Sequence, residues 1–173
     1  GNLRDYPLED DKYGIEQLAD RYSFIDGSRV GIFGHSGGGF MSTAAICTYP
    51  DFYRAAVSSA GNHDNNIYNI WWGETHHGIK EKVVAEKRKV KNPVTGKDST
   101  VTIEKVEFEK PNIPTNIELA ERLKGHLLLV AGDADDNVHP ANTFRMVDAL
   151  IKAGKDFDLV ILPGQGHKYH GKA

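Results

Sequence analysis

The sequence predicts an α/β fold with a mainly parallel sheet, and three observations support this prediction. Short apolar runs typical of strands alternate along the chain with segments at helical spacing. Residues 126–132, HLLLVAG, are almost continuously apolar, as a strand covered on both faces should be. The chain has 173 residues, which is about one domain and enough to bury a core.

The first half of the chain contains two predicted helices and two predicted strands. Residues 8–22, LEDDKYGIEQLADRY, predict an amphipathic helix whose apolar positions are Ile15, Leu18, Ala19 and Tyr22. Residues 28–34, SRVGIFG, predict a short buried strand, and residues 38–49 predict a helix that ends before Pro50. Residues 54–61, RAAVSSAG, predict the second strand.

The second half repeats this order after an interruption. The strand at 126–132 precedes a predicted helix at 141–154, closed by Gly154, and a last strand at 157–164. In the interruption, from about 78 to 110, two alternating stretches flank NPVTGKDS and predict an inserted β-hairpin. This hairpin is either a solvated ribbon of mixed charge or a docking surface for a partner.

Composition excludes several function classes. The net charge of -3 gives no reason to expect a nucleic acid or an anionic membrane as partner. The single cysteine, Cys47, excludes an internal disulfide and a metal site built on cysteines. The chain begins at Gly1 without an initiator Met and shows neither a targeting segment nor a membrane-spanning apolar run, so we expect a piece of a longer protein.

Residues 31–40, GIFGHSGGGF, place a serine between glycines directly after an apolar run. The stretch lacks the lysine of a phosphate-binding loop, and its glycines do not match the dinucleotide pattern GxGxxG, so no cofactor is predicted. It matches GxSxG at 34–38 with a strand before and a helix after, which predicts a nucleophile elbow rather than a plain glycine-rich turn. At an elbow Gly34 and Gly38 relieve crowding, Ser36 is exposed, and the Gly37 amide can stabilise an oxyanion.

A serine nucleophile needs a histidine base and an acid that orients it, in the chain order serine, acid, histidine for this type of fold. The loop after the strand at 126–132 supplies three acids, each of which has a turn or capping role as the alternative: Asp133, Asp135 and Asp136. The base should follow the last strand, where His167 lies beyond two glycines and His170 lies three residues farther.

The remaining histidines have structural interpretations. His35 is expected to pack or to form hydrogen bonds within the elbow. His63, His76 and His77 share one loop region, but the adjacent pair lacks the HExxH spacing, so no metal site is predicted.

Three motifs, GHSGGGF, GDADDNVHP and PGQGH, resemble the C-terminal catalytic domain of the prolyl oligopeptidase family of serine peptidases, most closely its dipeptidyl peptidase IV branch. The resemblance spans nearly the whole chain except about 78–110. It implies an α/β-hydrolase fold, incomplete at its N-terminal side. It also implies that Ser36 is the nucleophile, Asp135 the orienting acid, His167 the base and Gly37 N–H an oxyanion donor.

The resemblance also indicates a substrate side. Asn137 matches a family position that contacts a substrate carbonyl, and NNIYNIWWGE matches a region where aromatic side chains line a pocket for a proline ring. Tyr68, Trp71 and Trp72 are the candidates, with core packing as the alternative for either tryptophan. The residue after the serine, often tyrosine in these peptidases, is Gly37 here.

The family's β-propeller and several hydrolase strands, one of which supplies a tyrosine hydroxyl to the oxyanion hole, lie upstream of the matched region. We therefore expect an isolated chain to be weak or inactive, and its open sheet edge to favour self-association. A parent protein of this family is expected in the periplasm or outside the cytoplasm. The predicted function is hydrolysis of short peptides, after proline, through an acyl-enzyme. The alternatives are a carboxylesterase with the same triad and a non-catalytic binding module.

Overall fold

The computed structural model describes residues 3–109 and 113–169. In chain order the helices and strands are α1 (Tyr6–Arg21), β1 (Val30–His35), α2 (Gly37–Thr48), β2 (Tyr53–Ser59), α3 (Ile70–His77), β3 (Lys80–Lys91), β4 (Asp98–Glu109), the 3₁₀-helix η1 (Ile117–Arg122), β5 (His126–Gly132), α4 (Ala141–Lys152) and β6 (Asp158–Leu162). In this part of the chain, no helix combines the length and the apolar character needed to cross a membrane.

Four strands form one sheet in the order β1-β2-β5-β6, and every neighbouring pair is parallel. The predicted α/β fold with a mainly parallel sheet is confirmed. Because the strands are parallel, their carboxyl ends meet at one edge of the sheet, where ligands and catalytic groups of such folds gather. The loops that begin after His35, Ser59, Gly132 and Leu162 all leave the sheet at this edge.

The core lies along α2, which packs on β1 and β2 and is buried over most of its length. Leu127 and Leu129 of β5 and Met146 and Leu150 of α4 complete this core, each with at most 1% of its surface exposed. Burial of apolar side chains is the main stabilising term of such a fold. Cys47 lies within the core, and burial raises the pKa of its thiol to about 12.

Helix α1 (Tyr6–Arg21) begins two residues before the predicted range 8–22 and ends one residue before its end, and its apolar face is only partly covered. Leu8 is fully buried, whereas Leu18 and Tyr22 are 48% and 42% exposed. Strand β1 is an edge strand of the described sheet, and its Phe33 is 85% exposed. Association of this edge with a second copy or another segment stays a prediction.

Strands β3 and β4 form the predicted hairpin, an antiparallel ribbon paired from Lys80 opposite Glu109 to Lys91 opposite Asp98. Both end pairs join opposite charges, which favours this register. The side-chain oxygen of Asn92 accepts hydrogen bonds from the next turn of the chain and closes the loop. The ribbon is exposed along almost its entire length. A role in docking a partner stays a prediction.

Candidate active site

Ser36 lies at the sharp turn between β1 and α2, at the edge where the parallel strands end. Its backbone has φ 59° and ψ -122°, a conformation that non-glycine residues rarely adopt. Two backbone hydrogen bonds hold the turn: the Ser36 amide donates to the Ser59 carbonyl at 2.8 Å, and the Phe40 amide donates to the Ser36 carbonyl at 3.0 Å. The strained turn therefore presents the serine hydroxyl above the sheet edge.

Glycine is required on one side of this serine. A Cβ placed on Gly34 would lie 2.3 Å from the carbonyl carbon and oxygen of Gly38, which is far inside van der Waals contact. Gly37 is the first residue of α2, where amide groups have no acceptor within the helix and carry the positive end of the helix dipole. Such an amide is suited to stabilise negative charge beside Ser36.

His167 lies between Ser36 and Asp135 and contacts both. Its Nε2 is 3.0 Å from the Ser36 Oγ, and its Nδ1 is 2.9 Å from the Asp135 Oδ2. Because a carboxylate only accepts hydrogen bonds, the Nδ1 carries the proton, and the Nε2 of the neutral ring can accept one from the serine. The Asp135 side chain is 1% exposed, and its Oδ1 accepts the amides of Asn137 and Val138 at 2.9 Å each.

The other predicted acids and the second predicted base do not join this group. The Oδ1 of Asp133 accepts the Gly164 amide at 2.6 Å, so this side chain ties two loops together. Asp136 is exposed to solvent. His170 lies outside the residues that the structure describes. Asp135 is thus the aspartate of this loop that contacts His167.

Of the three predicted aromatic residues, Trp72 lies beside Gly37, the residue after the serine, and Tyr68 contacts Trp72. The Tyr68 hydroxyl donates a hydrogen bond to the Oδ1 of Asn137, and the Tyr68 and Trp72 rings meet edge to face at 5.7 Å. The Trp72 indole lies 3.6 Å from the point where a Cβ of Gly37 would be. Trp71 is 64% exposed and, among the described residues, makes no ring contact with this group. Trp71 therefore does not lie in the core.

The structure also joins His35, for which hydrogen bonds within the elbow were expected, to two residues that sequence patterns did not single out. Ser59 at the end of β2 and Tyr169 after β6 form a hydrogen-bonded chain with His35. A single sequence carries no signal for this chain, because its members come from three separate elements. No three histidine, cysteine or acidic side chains among residues 3–109 and 113–169 are arranged to hold a metal ion.

A buried polar cluster supports the loop between β2 and α3. His63 is fully buried, and its Nδ1 lies 3.1 Å from the side-chain amide nitrogen of Asn116. The same nitrogen of Asn116 donates to the Phe40 carbonyl in α2 at 2.7 Å. Burial lowers the pKa of His63 from 6.5 to about 3, so the imidazole is neutral throughout the working range of most proteins.

The free energy of unfolding is expected to fall as the pH drops from 6.5 toward about 3, because the unfolded chain then protonates His63 and the folded chain does not. Protonation of His63 in the unfolded chain lowers the free energy of unfolding by about 1 kcal/mol per pH unit within this window. Urea denaturation at pH 7 and pH 5 should show a smaller pH dependence for His63→Gln than for the original chain. The exposed His126→Gln serves as the matched control, and equal pH dependence in all three chains would contradict this assignment.

A parallel sheet with Ser36 at a strained strand-to-helix turn, and with His167 in the loop after the last strand, defines an α/β-hydrolase. The model of the prolyl oligopeptidase family matches residues 1–173, and the chain belongs to this family. The family and the relatives of this chain are serine peptidases. The resemblance inferred from the three motifs is confirmed.

Two curated relatives and one solved structure illustrate the similarity. Human dipeptidyl peptidase 8 is 29% identical over 160 residues, which are 92% of this chain and 16% of that protein. Human prolyl endopeptidase FAP is 26% identical over 166 residues, 96% of this chain and 19% of that protein. The crystal structure of Porphyromonas gingivalis dipeptidyl peptidase 4 has a TM-score of 0.75 at 23% identity, covering 99% of this chain and 21% of that one. The chain spans less than a fifth of the length of these curated relatives.

Proposed function

We propose that Ser36, Asp135 and His167 are the catalytic residues of a serine peptidase that hydrolyses short peptides, after proline. The observation that carries this proposal is the position of His167, whose two ring nitrogens lie 3.0 Å from the serine oxygen and 2.9 Å from the carboxylate. Structural roles alone do not require a strained serine, a buried acid and a histidine that contacts both.

In the proposed mechanism, the Ser36 Oγ attacks the scissile carbonyl carbon while the His167 Nε2 accepts the hydroxyl proton. Asp135 keeps the imidazole oriented and stabilises the imidazolium that forms. The Gly37 amide donates to the oxyanion of the tetrahedral intermediate. As the carbon-nitrogen bond breaks, His167 returns its proton to the leaving amine, which leaves an acyl group on Ser36. Water, deprotonated by His167, then hydrolyses this ester and regenerates the serine.

Substrate recognition is assigned to Asn137, Tyr68 and Trp72. We propose that the Asn137 side chain contacts a substrate carbonyl, since the Tyr68 hydroxyl already occupies its oxygen and directs its amide group. The Tyr68 and Trp72 rings meet edge to face, with Trp72 next to Gly37, and form an aromatic wall that suits a proline ring. Because Gly37 has no side chain, the Trp72 indole can lie close to its backbone.

Covalent labelling by a fluorophosphonate probe tests the proposed function, because the probe reacts with activated serines. Intact mass should show one adduct on the whole natural protein, the same adduct formed more slowly on an isolated chain of residues 1–173, and none on Ser36→Ala. An adduct on the whole protein alone would indicate that groups outside this chain complete the site. No adduct on either would reject the catalytic proposal and leave the binding module as the remaining function.

Replacement of Trp72 by alanine is expected to lower kcat/KM for a proline amide substrate by about 10- to 100-fold, because the proline ring loses its apolar wall. Trp71→Ala, on the exposed side of the same helix, should change this ratio by less than about threefold. Hydrolysis of a short acyl ester measured in parallel should fall less in Trp72→Ala. If the unmodified protein has a higher kcat/KM for the ester than for the proline amide, this result would instead favour the carboxylesterase alternative.

A further inference from the structure

A chain of hydrogen bonds runs behind the site across the ends of three strands. His35, the last residue of β1, places its Nδ1 3.0 Å from the Ser59 Oγ at the end of β2. The Ser59 hydroxyl donates to the Tyr169 hydroxyl at 3.0 Å, and Tyr169 donates to the Val130 carbonyl of β5 at 3.4 Å. Tyr169 lies two residues after His167, so this chain attaches the histidine loop to the sheet.

The direction of these hydrogen bonds determines the tautomer of His35. The Val130 carbonyl can only accept, so the Tyr169 hydrogen points to it and the Ser59 hydrogen points to Tyr169. Ser59 then has no hydrogen left for His35 and must accept one from the Nδ1. His35 therefore carries a proton on its Nδ1 and acts as the first donor of the chain.

The His35 ring also contacts the proposed base directly. Its centroid is 4.9 Å from that of His167 and 5.3 Å from that of Tyr169, which it meets edge to face. Partial burial and the neighbouring His167 lower the pKa of His35, whereas the His167 backbone and Asp135 raise it to a smaller extent. These are the titratable or charged groups that face His35 from the loops after β5 and β6. A neutral His35 adds no competing charge when His167 becomes protonated.

We propose that His35, Ser59 and Tyr169 form a positioning network that holds the His167 imidazole in line with Ser36 and Asp135. The proposal rests on the proposed function. The loop that carries His167 contains Gly164 at φ 68° and Gly166, and glycines leave a backbone free to move. The hydrogen bond that Tyr169 accepts from Ser59 of β2 and the one that it donates to Val130 of β5 restrict that movement, together with the His35 ring. Displacement of a catalytic group by about 1 Å costs on the order of 10²-fold in rate.

Tyr169→Phe tests the network because it removes one oxygen and keeps the ring. In the whole natural protein we expect kcat for a proline amide and the rate of fluorophosphonate labelling to fall about 10- to 100-fold, with KM changed less than about twofold. Tyr6→Phe, at a 73% exposed tyrosine of α1, is the matched control and should keep the original rates. His35→Phe should have a similar effect, and His35→Asn, which retains an amide donor toward Ser59, should recover part of the rate.

The double variant His35→Phe with Tyr169→Phe should lose no more than the larger single effect, because both changes break the same chain. A proton NMR signal of the His167 Nδ1–H, sharp in the original protein, should broaden in Tyr169→Phe while the melting temperature stays unchanged.

The outcomes separate this inference from the proposed function. Labelling of the original protein together with full rates in His35→Phe and Tyr169→Phe would overturn the network and leave the catalytic proposal intact. A rate loss no larger than the fraction of unfolded protein would also overturn it. So would a double variant whose rate loss equals the two single effects combined. No labelling of the original protein would reject the catalytic proposal itself, and the network with it.

Discussion

Replacement of His167 by glutamine is expected to lower kcat for peptide hydrolysis by about 10⁵- to 10⁶-fold, the range found when the base of a serine peptidase is removed. Glutamine cannot take the Ser36 proton at neutral pH, and the hydroxyl alone is a weak nucleophile. The substrate contacts proposed for Asn137, Tyr68 and Trp72 are not altered by this change, so KM should change little. Steady-state hydrolysis of a proline amide by the whole natural protein measures both values.

The matched control for this prediction is His139→Gln. His139 is exposed, and its Nδ1 accepts the Ala141 amide at the start of α4, at a distance of 3.2 Å. We expect a kcat within about twofold of the original, since this change affects one exposed hydrogen bond. Retention of more than a few per cent of activity in His167→Gln would contradict its assignment as the base, and His170 would become the next candidate.

Asp135→Asn is expected to lower kcat by about 10⁴-fold while the fold is retained. In the original protein, the Asp135 Oδ2 accepts the His167 Nδ1–H at 2.9 Å. An asparagine that presents its amide there would donate to the Nδ1 and shift the ring proton to the Nε2, where it blocks transfer from Ser36. The amide groups of Asn137 and Val138 can still donate to the remaining side-chain oxygen, so the loop should keep its shape.

Asp133→Asn provides the control on the same loop. Its carboxylate contacts the Gly164 amide and not His167, so we expect at most a tenfold loss of kcat through a looser loop. Thermal unfolding of both variants checks that neither activity loss reflects unfolding. Equal activity losses in the two variants would contradict the assignment of Asp135 as the orienting acid.

Local chemistry made much of the fold and part of the site predictable. The elbow needs glycine within two residues of a serine, after an apolar strand and before a helix, and all of these features lie within about ten residues. Strand and helix periodicity depends on near neighbours in the chain, so β5 and α4 were predicted with nearly their observed extents. The order of Ser36, the acid loop and His167 follows from the connectivity of the fold.

Choices between neighbouring residues were not predictable from the residues alone. Asp133, Asp135 and Asp136 fit the same loop by spacing, and only the packed structure shows which carboxylate is buried against His167. Trp71 and Trp72 differ by one position, which rotates a side chain by about 100° around a helix and separates an exposed indole from one beside Gly37.

The sequence by itself determined the fold class, the hairpin, the elbow around Ser36 and the family resemblance, because each depends on periodicity or on residues close together in the chain. Only the tertiary structure decided the contact geometry around His167, the exposure of the α1 face and the link from His35 through Ser59 to Tyr169. These contacts join strand ends and loops up to 131 residues apart, and the sheet brings them together only once its strands are paired in register.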